Sequence, residues 1–338
     1  MYNNKTISRF AAVLVGCSLL VACDVDEPGL TEDGLRVSDF LDEEGRVDWR
    51  NIQDNGIAAN GVFFNGLKFN GLKFNGLKFN GLKFNSQVLN TPKMNGNKIS
   101  GKKANNETVE GTALEGAVID AEMEVDGVDM PAEFRLSSMS PVATAAGSLD
   151  AMLIEGRLLP NGVFTNVCEN DAPSVSLRGN WDPTTGAKIG DTDDDSTWAC
   201  LGAALGDCAT WGYVPGGTYS GTSLAAYHQA CTRTKRADYC GTGVPHTQNG
   251  TSIDIYDNLG VQAPGTAWPI EAMYNENGAV CLNNPRKTNF TKDPNDNTKT
   301  YIGCNIPACV DVNNDGVVNF ADYPTAKIAV RNVPTDPV

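Results

Sequence analysis

Histidine is nearly absent from the sequence, which has two histidines among 338 residues. Basic residues are also in the minority, because 26 lysines and arginines stand against 41 aspartates and glutamates, for a formal net charge of −15. Such an acidic chain lacks the basic surface that nucleic-acid binding requires, so we expect no nucleic-acid partner. Two histidines are also few for acid–base catalysis. The composition, with 41% hydrophobic residues, excludes both a wholly disordered chain and a polytopic membrane protein.

The first 22 residues have the features of an export signal. Lys5 and Arg9 precede an almost uncharged apolar stretch, residues 10–22, which is about half the length that spans a bilayer. The stretch ends in Leu20-Val-Ala-Cys23, which resembles the lipobox of bacterial lipoproteins. The resemblance implies cleavage before Cys23, a diacylglycerol on its thiol, and anchoring in the bacterial cell envelope, with the membrane and leaflet left open. A plain secretory peptide with an incidental cysteine is the alternative.

The acidic residues are concentrated after the cysteine. Residues 23–55 contain eleven aspartates and glutamates and little apolar periodicity. This composition predicts a solvated tether between the anchor and the folded part of the chain.

The remaining cysteines predict disulfides. Eight of the ten cysteines are left when Cys17 is removed with the signal and Cys23 is assigned to lipid, and an even number in an exported chain favours up to four bridges. Their pairing does not follow from sequence. The disulfide candidates are Cys168, Cys200, Cys208, Cys231, Cys240, Cys281, Cys304 and Cys309.

From residue 56 the sequence repeats every five residues, most clearly as Asn-Gly-Leu-Lys-Phe from Asn65 to Phe84. One phase of this period stays apolar from Phe64 to Ile119. A period of five suits a chain that turns a corner after each short extended piece. The pattern resembles the pentapeptide-repeat family, which implies a right-handed quadrilateral β-helix of three coils over residues 56–121. A disordered low-complexity repeat is the alternative.

The same segment is basic. It contains eight lysines and no acidic residue between Gly56 and Asn106. A solvated face is the plain interpretation, and a site for anionic lipid or polysaccharide near the anchor is the functional one. We call this set the lysine belt: Lys68, Lys73, Lys78, Lys83, Lys93, Lys98, Lys102 and Lys103.

From about residue 122 the chain changes to period-two runs and turns. This pattern predicts hairpins over residues 123–136 and 269–282 and a strand over residues 252–256. One helix is predicted between Ser223, as its cap, and Gly241. The region from 122 to 300 is therefore expected to be an α+β domain.

The helix leads into Ala237-Asp-Tyr-Cys240, and several spaced motifs accompany it, including Trp198-Ala-Cys200, His246-Thr247 and Ile253-Asp-Ile-Tyr-Asp257. Together they resemble the ADYC domain of exported bacterial proteins over roughly residues 122–290. The resemblance implies a domain without an assigned activity.

Catalysis by a thiol is the alternative for this helix. Asp238, His228 and Cys231 lie on one side of it, an arrangement that can serve a thiol nucleophile. Cys231 and Cys240 are about 13 Å apart along a helix, so they cannot bridge each other. Each is expected to find its partner elsewhere, most plausibly among Cys168, Cys200, Cys208 and Cys281, which leaves no free thiol.

The clearest ligand pattern lies at residues 311–322. An EF-hand loop needs oxygen ligands at positions 1, 3, 5, 7, 9 and 12 and glycine at position 6, and all of these positions are filled. Aspartate at the last position resembles the dockerin variant of the loop, although a single copy and Pro324 depart from that pattern. An acidic turn is the alternative. The expected ligands of one calcium ion are Asp311, Asn313, Asp315, the Val317 carbonyl, Asn319 and Asp322.

These observations predict a mainly β protein. Its expected parts are a signal peptide (1–22), an acidic tether (23–55), a pentapeptide β-helix (56–121), a disulfide-bonded ADYC domain (122–300) and a calcium-loop tail (301–338). The expected function is non-enzymatic, as a structural or binding module of the cell envelope with an unknown protein partner. An exported hydrolase or thiol enzyme with its site in the ADYC domain is the alternative.

Overall fold

A computed structural model describes residues 67–68, 77–84, 87–95, 97–125, 128–168, 171–182, 185–190, 195–247, 251–286, 292–293, 296–300 and 304–332. The expected signal peptide, the tether and the lipidation site Cys23 lie outside these residues. The described chain is mainly β, as expected, with two α-helices. No helix within it combines the length and apolar character needed to cross a membrane.

The secondary structure consists mostly of short strands. The helices are α1 (Ala204–Thr210) and α2 (Ala225–Arg236), and a short 3₁₀ helix spans Gly111–Leu114. The strands of the first half are β1 (Leu67–Lys68), β2 (Leu77–Phe84), β3 (Gln87–Asn95), β4 (Lys98–Lys102), β5 (Thr108–Glu110), β6 (Val118–Val125), β7 (Val128–Thr144), β8 (Gly147–Leu158), β9 (Thr165–Asn166) and β10 (Ser174–Arg178). Those of the second half are β11 (Asn180–Trp181), β12 (Lys188–Gly190), β13 (Asp195–Cys200), β14 (Thr218–Tyr219), β15 (Thr222–Ser223), β16 (Ile253–Asp257), β17 (Ile270–Asn275), β18 (Gly278–Leu282), β19 (Lys292–Asp293), β20 (Asp296–Thr300) and β21 (Ile328–Asn332).

The larger sheet is antiparallel and, in the described part of the chain, has eleven strands. Their order is β1-β13-β10-β8-β7-β6-β2-β3-β4-β5, with β9 paired to β8. One face covers a hydrophobic core that includes Ile99, Ile119, Phe134, Ile154 and Trp198. The rings of Phe134 and Trp198 meet edge to face with centroids 5.7 Å apart. Burial of these side chains is the main favourable contribution to the stability of the sheet.

The sheet curves until distant strands meet. β4 and β10 are separated by five strands in the sheet order. The backbone N–H of Arg178, at the end of β10, nevertheless donates a hydrogen bond of 2.8 Å to the side-chain oxygen of Asn97, beside β4. The right-handed twist of strands produces such curvature.

The β-helix expected over residues 56–121 is not seen among the described residues. Residues 77–84 instead form β2, which pairs antiparallel with β6 and β3. Side chains alternate between faces every two residues in a strand, so an odd repeat of five would turn successive repeats to opposite faces. A register shift between Phe79 and Gly81 absorbs the extra residue.

This bulge keeps the apolar positions of the repeat in phase. On one side of it Phe79 pairs with Ala121, and on the other Leu82 pairs with Ile119. Ala121 and Ile119 are both buried in the core. Within residues 77–84 the repeat therefore forms a bulged antiparallel strand in which Phe79 and Leu82 are register partners of buried residues, which sequence periodicity alone did not predict.

Both predicted hairpins are confirmed. β6 and β7 pair from Val118 to Val125, and their connecting residues 126–127 lie outside the described chain. β17 and β18 pair through the turn at Asn275–Gly278. The strand predicted at 252–256 is β16.

The second sheet contains a strand from the tail. Its order is β16-β21-β17-β18, and β21 is antiparallel to both of its neighbours. Residues 328–332, expected in a separate tail beyond residue 300, are thus a central strand of the sheet. The expected boundary differs because short-range pattern does not reveal which strands pair across a long separation in sequence.

Helix α2 lies against this sheet and against α1. Its buried side includes Tyr227, Ala230 and Cys231, which pack in a core with Tyr274 and Val330. The helix begins slightly later than predicted, and Ser223 Oγ accepts a 3.4 Å hydrogen bond from the N–H of Ala225.

Candidate functional site

The ADYC sequence forms the turn that ends helix α2. Ala237 is the C-terminal cap, with the left-handed dihedral φ of 51°. Gly241, with φ of 69°, approaches the turn between β17 and β18 so closely that a Cβ atom would overlap the carbonyl oxygen of Asn277. Only glycine fits both the dihedral and the space. The motif therefore joins the helix end to the second sheet.

Asp238 is fully buried and organises this turn. Its carboxylate accepts hydrogen bonds from Arg233 Nη1 at 2.5 Å and from the backbone N–H groups of Thr242 at 3.0 Å and Gly243 at 2.9 Å. Arg233 is 5% exposed, so the ion pair is desolvated on both sides. A buried carboxylate with three donors is fixed in place and has a structural role.

Tyr239 leads into a second buried ion pair. Its hydroxyl donates to Glu271 Oε1 at 3.0 Å and accepts the backbone N–H of Arg286 at 2.8 Å. Glu271 and Arg286 form two hydrogen bonds of 3.0 Å. Burial by itself would lower the pKa of Arg286. The neighbouring Glu271 carboxylate outweighs burial, and the pKa of Arg286 is raised. Arg286 also donates to the last carbonyl groups of α2, those of Thr234 and Lys235.

All eight candidate cysteines are paired. The disulfides are Cys168–Cys200, Cys208–Cys231, Cys240–Cys304 and Cys281–Cys309. Cys231 has a partner from the expected set, and it ties α2 to α1. Cys240 does not, because its turn faces the tail and pairs with Cys304. Four disulfides indicate a protein made for an oxidising, exported environment.

The thiol-enzyme arrangement is absent from the described residues. Cys231 is oxidised and fully buried. His228 Nε2 lies 3.1 Å from the carbonyl oxygen of Leu205, and burial lowers the pKa of His228 to about 3. Asp238 is engaged by Arg233. The three side chains are therefore committed to separate structural contacts.

The loop 311–322 is closed by its own side chains. Asp322 accepts the backbone N–H groups of Val312, Asn313 and Asn319 at 2.8–3.0 Å. Burial raises the pKa of Asp322, but these donors outweigh it and leave that pKa below its ordinary value. The structure thus brings the first, middle and last parts of the predicted loop together.

The other predicted ligands also face into the loop. Asp311 accepts the N–H groups of Asp315 and Gly316, and Asp315 accepts the N–H of Val317 and the amide of Asn319. Asn313 accepts the N–H of Asp315 at 3.0 Å. Within the described chain no group of three or more His, Cys, Asp or Glu side chains could hold a metal ion. Two of the six expected ligands are asparagines and one is a carbonyl oxygen.

Only part of the lysine belt has described side chains. Lys98, Lys102 and Lys103 lie on or beside β4, and Lys103 pairs with Glu107 at 2.8 Å. The other five lysines lie in parts of the chain whose side chains are outside the described set.

Comparison with known families decides the identity of the central region. The model of the ADYC domain matches residues 111–288, which is 178 of 338 residues. The chain belongs to the ADYC family. The ADYC match ends before the tail strand β21 that completes the second sheet. No curated protein and no solved structure matches the chain.

Sequence analysis missed the partners of the ADYC motif. Glu271 and Arg286 lie 32 and 47 residues beyond Tyr239, too far apart for a spacing rule to connect them. It named Asp257 as part of a motif but missed its contacts, since its carboxylate accepts the hydroxyl of Tyr213 at 2.8 Å and four backbone N–H groups of residues 259–262. The sequence did contain one signal for Glu271 and Asp257, because both are acidic residues within otherwise apolar strands.

Proposed function

We propose that this ADYC protein is a non-enzymatic lipoprotein of the bacterial cell envelope that acts as a structural or binding module. It is exported by residues 1–22, anchored by a lipidated Cys23 and stabilised by a calcium ion in the loop 311–322. The single observation that carries the proposal is the state of the motif residues. The three residues of the thiol alternative are engaged elsewhere, Cys231 in a disulfide, His228 with the Leu205 carbonyl and Asp238 with Arg233.

The oxidation state of the cysteines distinguishes this proposal from the enzyme alternative. A thiol enzyme requires a reduced cysteine. The candidate nucleophile Cys231 has no free thiol, because its sulfur is bonded to that of Cys208. We therefore expect no free thiol among the eight C-terminal cysteines when native protein is denatured and alkylated without reductant. Labelling of Cys231 under those conditions would contradict the proposal and favour a thiol enzyme.

The anchor is supported by two independent features. The lipobox-like sequence ends at Cys23, and four disulfides indicate an exported chain. Acyl chains contribute about 0.8 kcal/mol per buried methylene, enough to hold an otherwise water-soluble domain on a membrane. Mass spectrometry of the N-terminal peptide should find a diacylated Cys23, and a Cys23→Ser variant should be released from the membrane fraction. Peptides that begin at Met1 in the mature protein would contradict the anchor.

The lysine belt is the proposed contact with anionic lipid or polysaccharide. Eight lysines without an acidic residue form a basic segment close to the anchor. Each contributes on the order of 1 kcal/mol near an anionic surface. We expect the Cys23→Ser protein to bind vesicles that contain phosphatidylglycerol more tightly than neutral vesicles, and salt to weaken the binding. Equal binding to both kinds of vesicle would contradict this role.

The calcium site is supported by the chemistry of its donors. Carboxylate, amide and carbonyl oxygens are the ligands that calcium prefers, and the loop supplies them at the six positions from Asp311 to Asp322. When bound, the ion would neutralise the three carboxylates and hold the loop closed. The chain's own part is to orient these oxygens, which the backbone N–H donors of the loop already do.

The position of the loop gives calcium a structural effect. The loop runs from Cys309, bonded to Cys281 in β18, to β21 in the centre of the second sheet. Tyr323, just after the loop, is linked to Val310, just before it, because the tyrosine hydroxyl accepts the backbone N–H of Val310 at 2.8 Å. An ion in the loop would therefore fix the path by which β21 enters the sheet.

Calcium should raise the melting temperature of the full chain, and a chelator should reverse the effect. Asp322→Asn should abolish most of that increase, because it removes the closing carboxylate. Asp171→Asn, at an exposed aspartate outside the loop, is the matched control and should keep the response. An equal calcium response in Asp322→Asn and wild type would contradict this site, while the anchor and belt would remain separately testable.

A further inference from the structure

A buried carboxyl group lies where the curved sheet closes. Asp150, in β8, is 3% exposed although it belongs to a mostly apolar strand. Its Oδ2 atom is buried and has no hydrogen-bond partner. Buried carboxylates normally have several donors, as Asp238 and Asp257 do in this protein, so Asp150 requires a separate explanation.

The chain makes room for this carboxyl group at Gly111. Gly111 has φ of 57°, and a Cβ at this position would lie 2.5 Å from Asp150 Oδ2 and 3.5 Å from Asp150 Cγ. No side chain other than hydrogen fits there. The side chain of Lys98 reaches the same point, because its Cδ atom lies 3.4 Å from that Cβ position.

The side-chain stem of Lys98 lies near Asp150. Its Cδ lies at most about 7 Å from Asp150 Cγ, since both atoms are within 3.5 Å of one point. The amine nitrogen is two bonds of about 1.5 Å beyond Cδ, so rotation about the terminal bonds of Lys98 swings it toward the carboxyl carbon.

A second carboxylate stands beside this pair. Glu110, the residue before Gly111, interacts electrostatically with Asp150, as Lys98 does. Burial raises the pKa of Asp150, the nearby Lys98 opposes the change, and Glu110 adds to it. A raised pKa favours the neutral acid form of a carboxyl group, and amide formation needs this form together with an amine and a proton acceptor.

We propose that Lys98 and Asp150 become joined by an intramolecular isopeptide bond between Nζ and Cγ, with Glu110 as the proton acceptor. Glu110 takes a proton from the Lys98 ammonium, and the nitrogen lone pair attacks Asp150 Cγ. The bond from Cγ to the hydroxyl oxygen then breaks, and the hydroxyl leaves with a second nitrogen proton as water. The proton on Glu110 passes to solvent. No atom is oxidised or reduced.

The bond would remove the electrostatic cost of the site. The product is an uncharged amide, so the charge of a carboxyl group whose buried Oδ2 atom has no hydrogen-bond partner no longer has to be accommodated. It would also join strands that are far apart in the sheet. β4, which contains Lys98, and β8 are separated by β7, β6, β2 and β3. The cross-link would thus close the curved sheet covalently, at the place where Asn97 and Arg178 already meet.

Peptide mapping of the reduced and alkylated full chain tests the proposal. Trypsin does not cleave after an acylated lysine, so we expect a branched peptide that contains Lys98 and Asp150 and is lighter than its two linear parts by one water. Lys98→Arg and Asp150→Ala should both lack this species. Glu110→Gln should reduce its yield at least tenfold after equal times.

Lys98→Arg keeps the positive charge and separates loss of the bond from loss of the fold. Its four disulfides and circular dichroism should match those of wild type. Quantitative recovery of the wild-type linear peptides that end at Lys98 and contain Asp150 would overturn the proposal. Persistence of the branched species in Lys98→Arg would overturn the assignment of the lysine.

Discussion

Arg286 and Glu271 form a two-point ion pair in the interior of the ADYC domain, with Nε–Oε2 and Nη2–Oε1 distances of 3.0 Å each. Their side chains are 1% and 0% exposed. The pair connects the end of helix α2 to β17 through the hydroxyl of Tyr239. The tyrosine of the family motif thus acts as a structural link between two elements.

The first prediction concerns this ion pair. Arg286→Met should lower the free energy of unfolding by about 3–5 kcal/mol, because it leaves the Glu271 carboxylate buried without its cation. The double variant Glu271→Gln, Arg286→Met should regain part of that loss, since glutamine still accepts from Tyr239 and carries no charge. Urea unfolding of wild type, Arg286→Met, Glu271→Gln and the double variant measures both effects. Strictly additive losses would show that the two charges do not interact.

The second prediction concerns the close approach at Gly241. Gly241→Ala should destabilise the protein by at least about 2 kcal/mol more than Gly221→Ala. Both glycines have positive φ, 69° and 80°, so both variants carry a similar dihedral cost. Only Gly241 faces an atom, the Asn277 carbonyl oxygen, whereas a Cβ at Gly221 meets nothing within 4 Å. Equal melting temperatures would show that the Asn277 turn moves aside.

The third prediction concerns acid stability. Burial lowers the pKa of His228 to about 3, from an ordinary value of 6.5. Between these values the unfolded chain binds a proton at this position and the folded chain does not. The contribution of His228 to stability is therefore fully present above pH 6.5 and falls as the pH is lowered toward 3, by up to about 1.4 kcal/mol per pH unit.

His228→Gln removes this titration and keeps a hydrogen-bond donor toward the Leu205 carbonyl. Denaturant unfolding should give a smaller loss of stability between pH 6 and pH 4 for the variant than for wild type. Above pH 7 the two proteins should show the same dependence on pH. A steeper acid loss in the variant would mean that His228 is protonated in the folded protein.

The fourth prediction concerns the disulfides. Cys240 and Cys304 are both half-buried, whereas the other three bridges consist of buried cysteines. A mild thiol reductant without denaturant should therefore open Cys240–Cys304 first. Timed alkylation and peptide mass spectrometry give the order of reduction. Earlier loss of Cys208–Cys231, which is fully buried, would show that the domain opens around α2 before its surface bridge reacts.

The sequence predicted local features well. The two hairpins follow from period-two runs on either side of turn residues, and the even number of cysteines predicted up to four disulfides, all of which are present. These signals depend on neighbours a few residues apart. In the loop 311–322 the five side chains named as ligands each accept a nearby backbone N–H, while calcium binding there stays a prediction.

Long-range relationships could not be predicted in this way. A period of five was interpreted as a β-helix, because the bulge at Phe79–Gly81 that makes it compatible with a strand leaves no separate mark in the sequence. Nor did spacing identify Glu271 and Arg286 as partners of Tyr239, or β21 as the central strand of the second sheet. Each depends on which distant segments meet, and that is decided by the shape of the whole core.

The middle place of β21 constrains the order in which the molecule can mature. Strands β16 and β17 are joined only through residues 328–332, so the second sheet cannot be completed before that segment is in place. Cys240 and Cys281 likewise cannot be bridged before Cys304 and Cys309 are available. Oxidation of these cysteines therefore fastens the segment that leads into β21 to the rest of the domain.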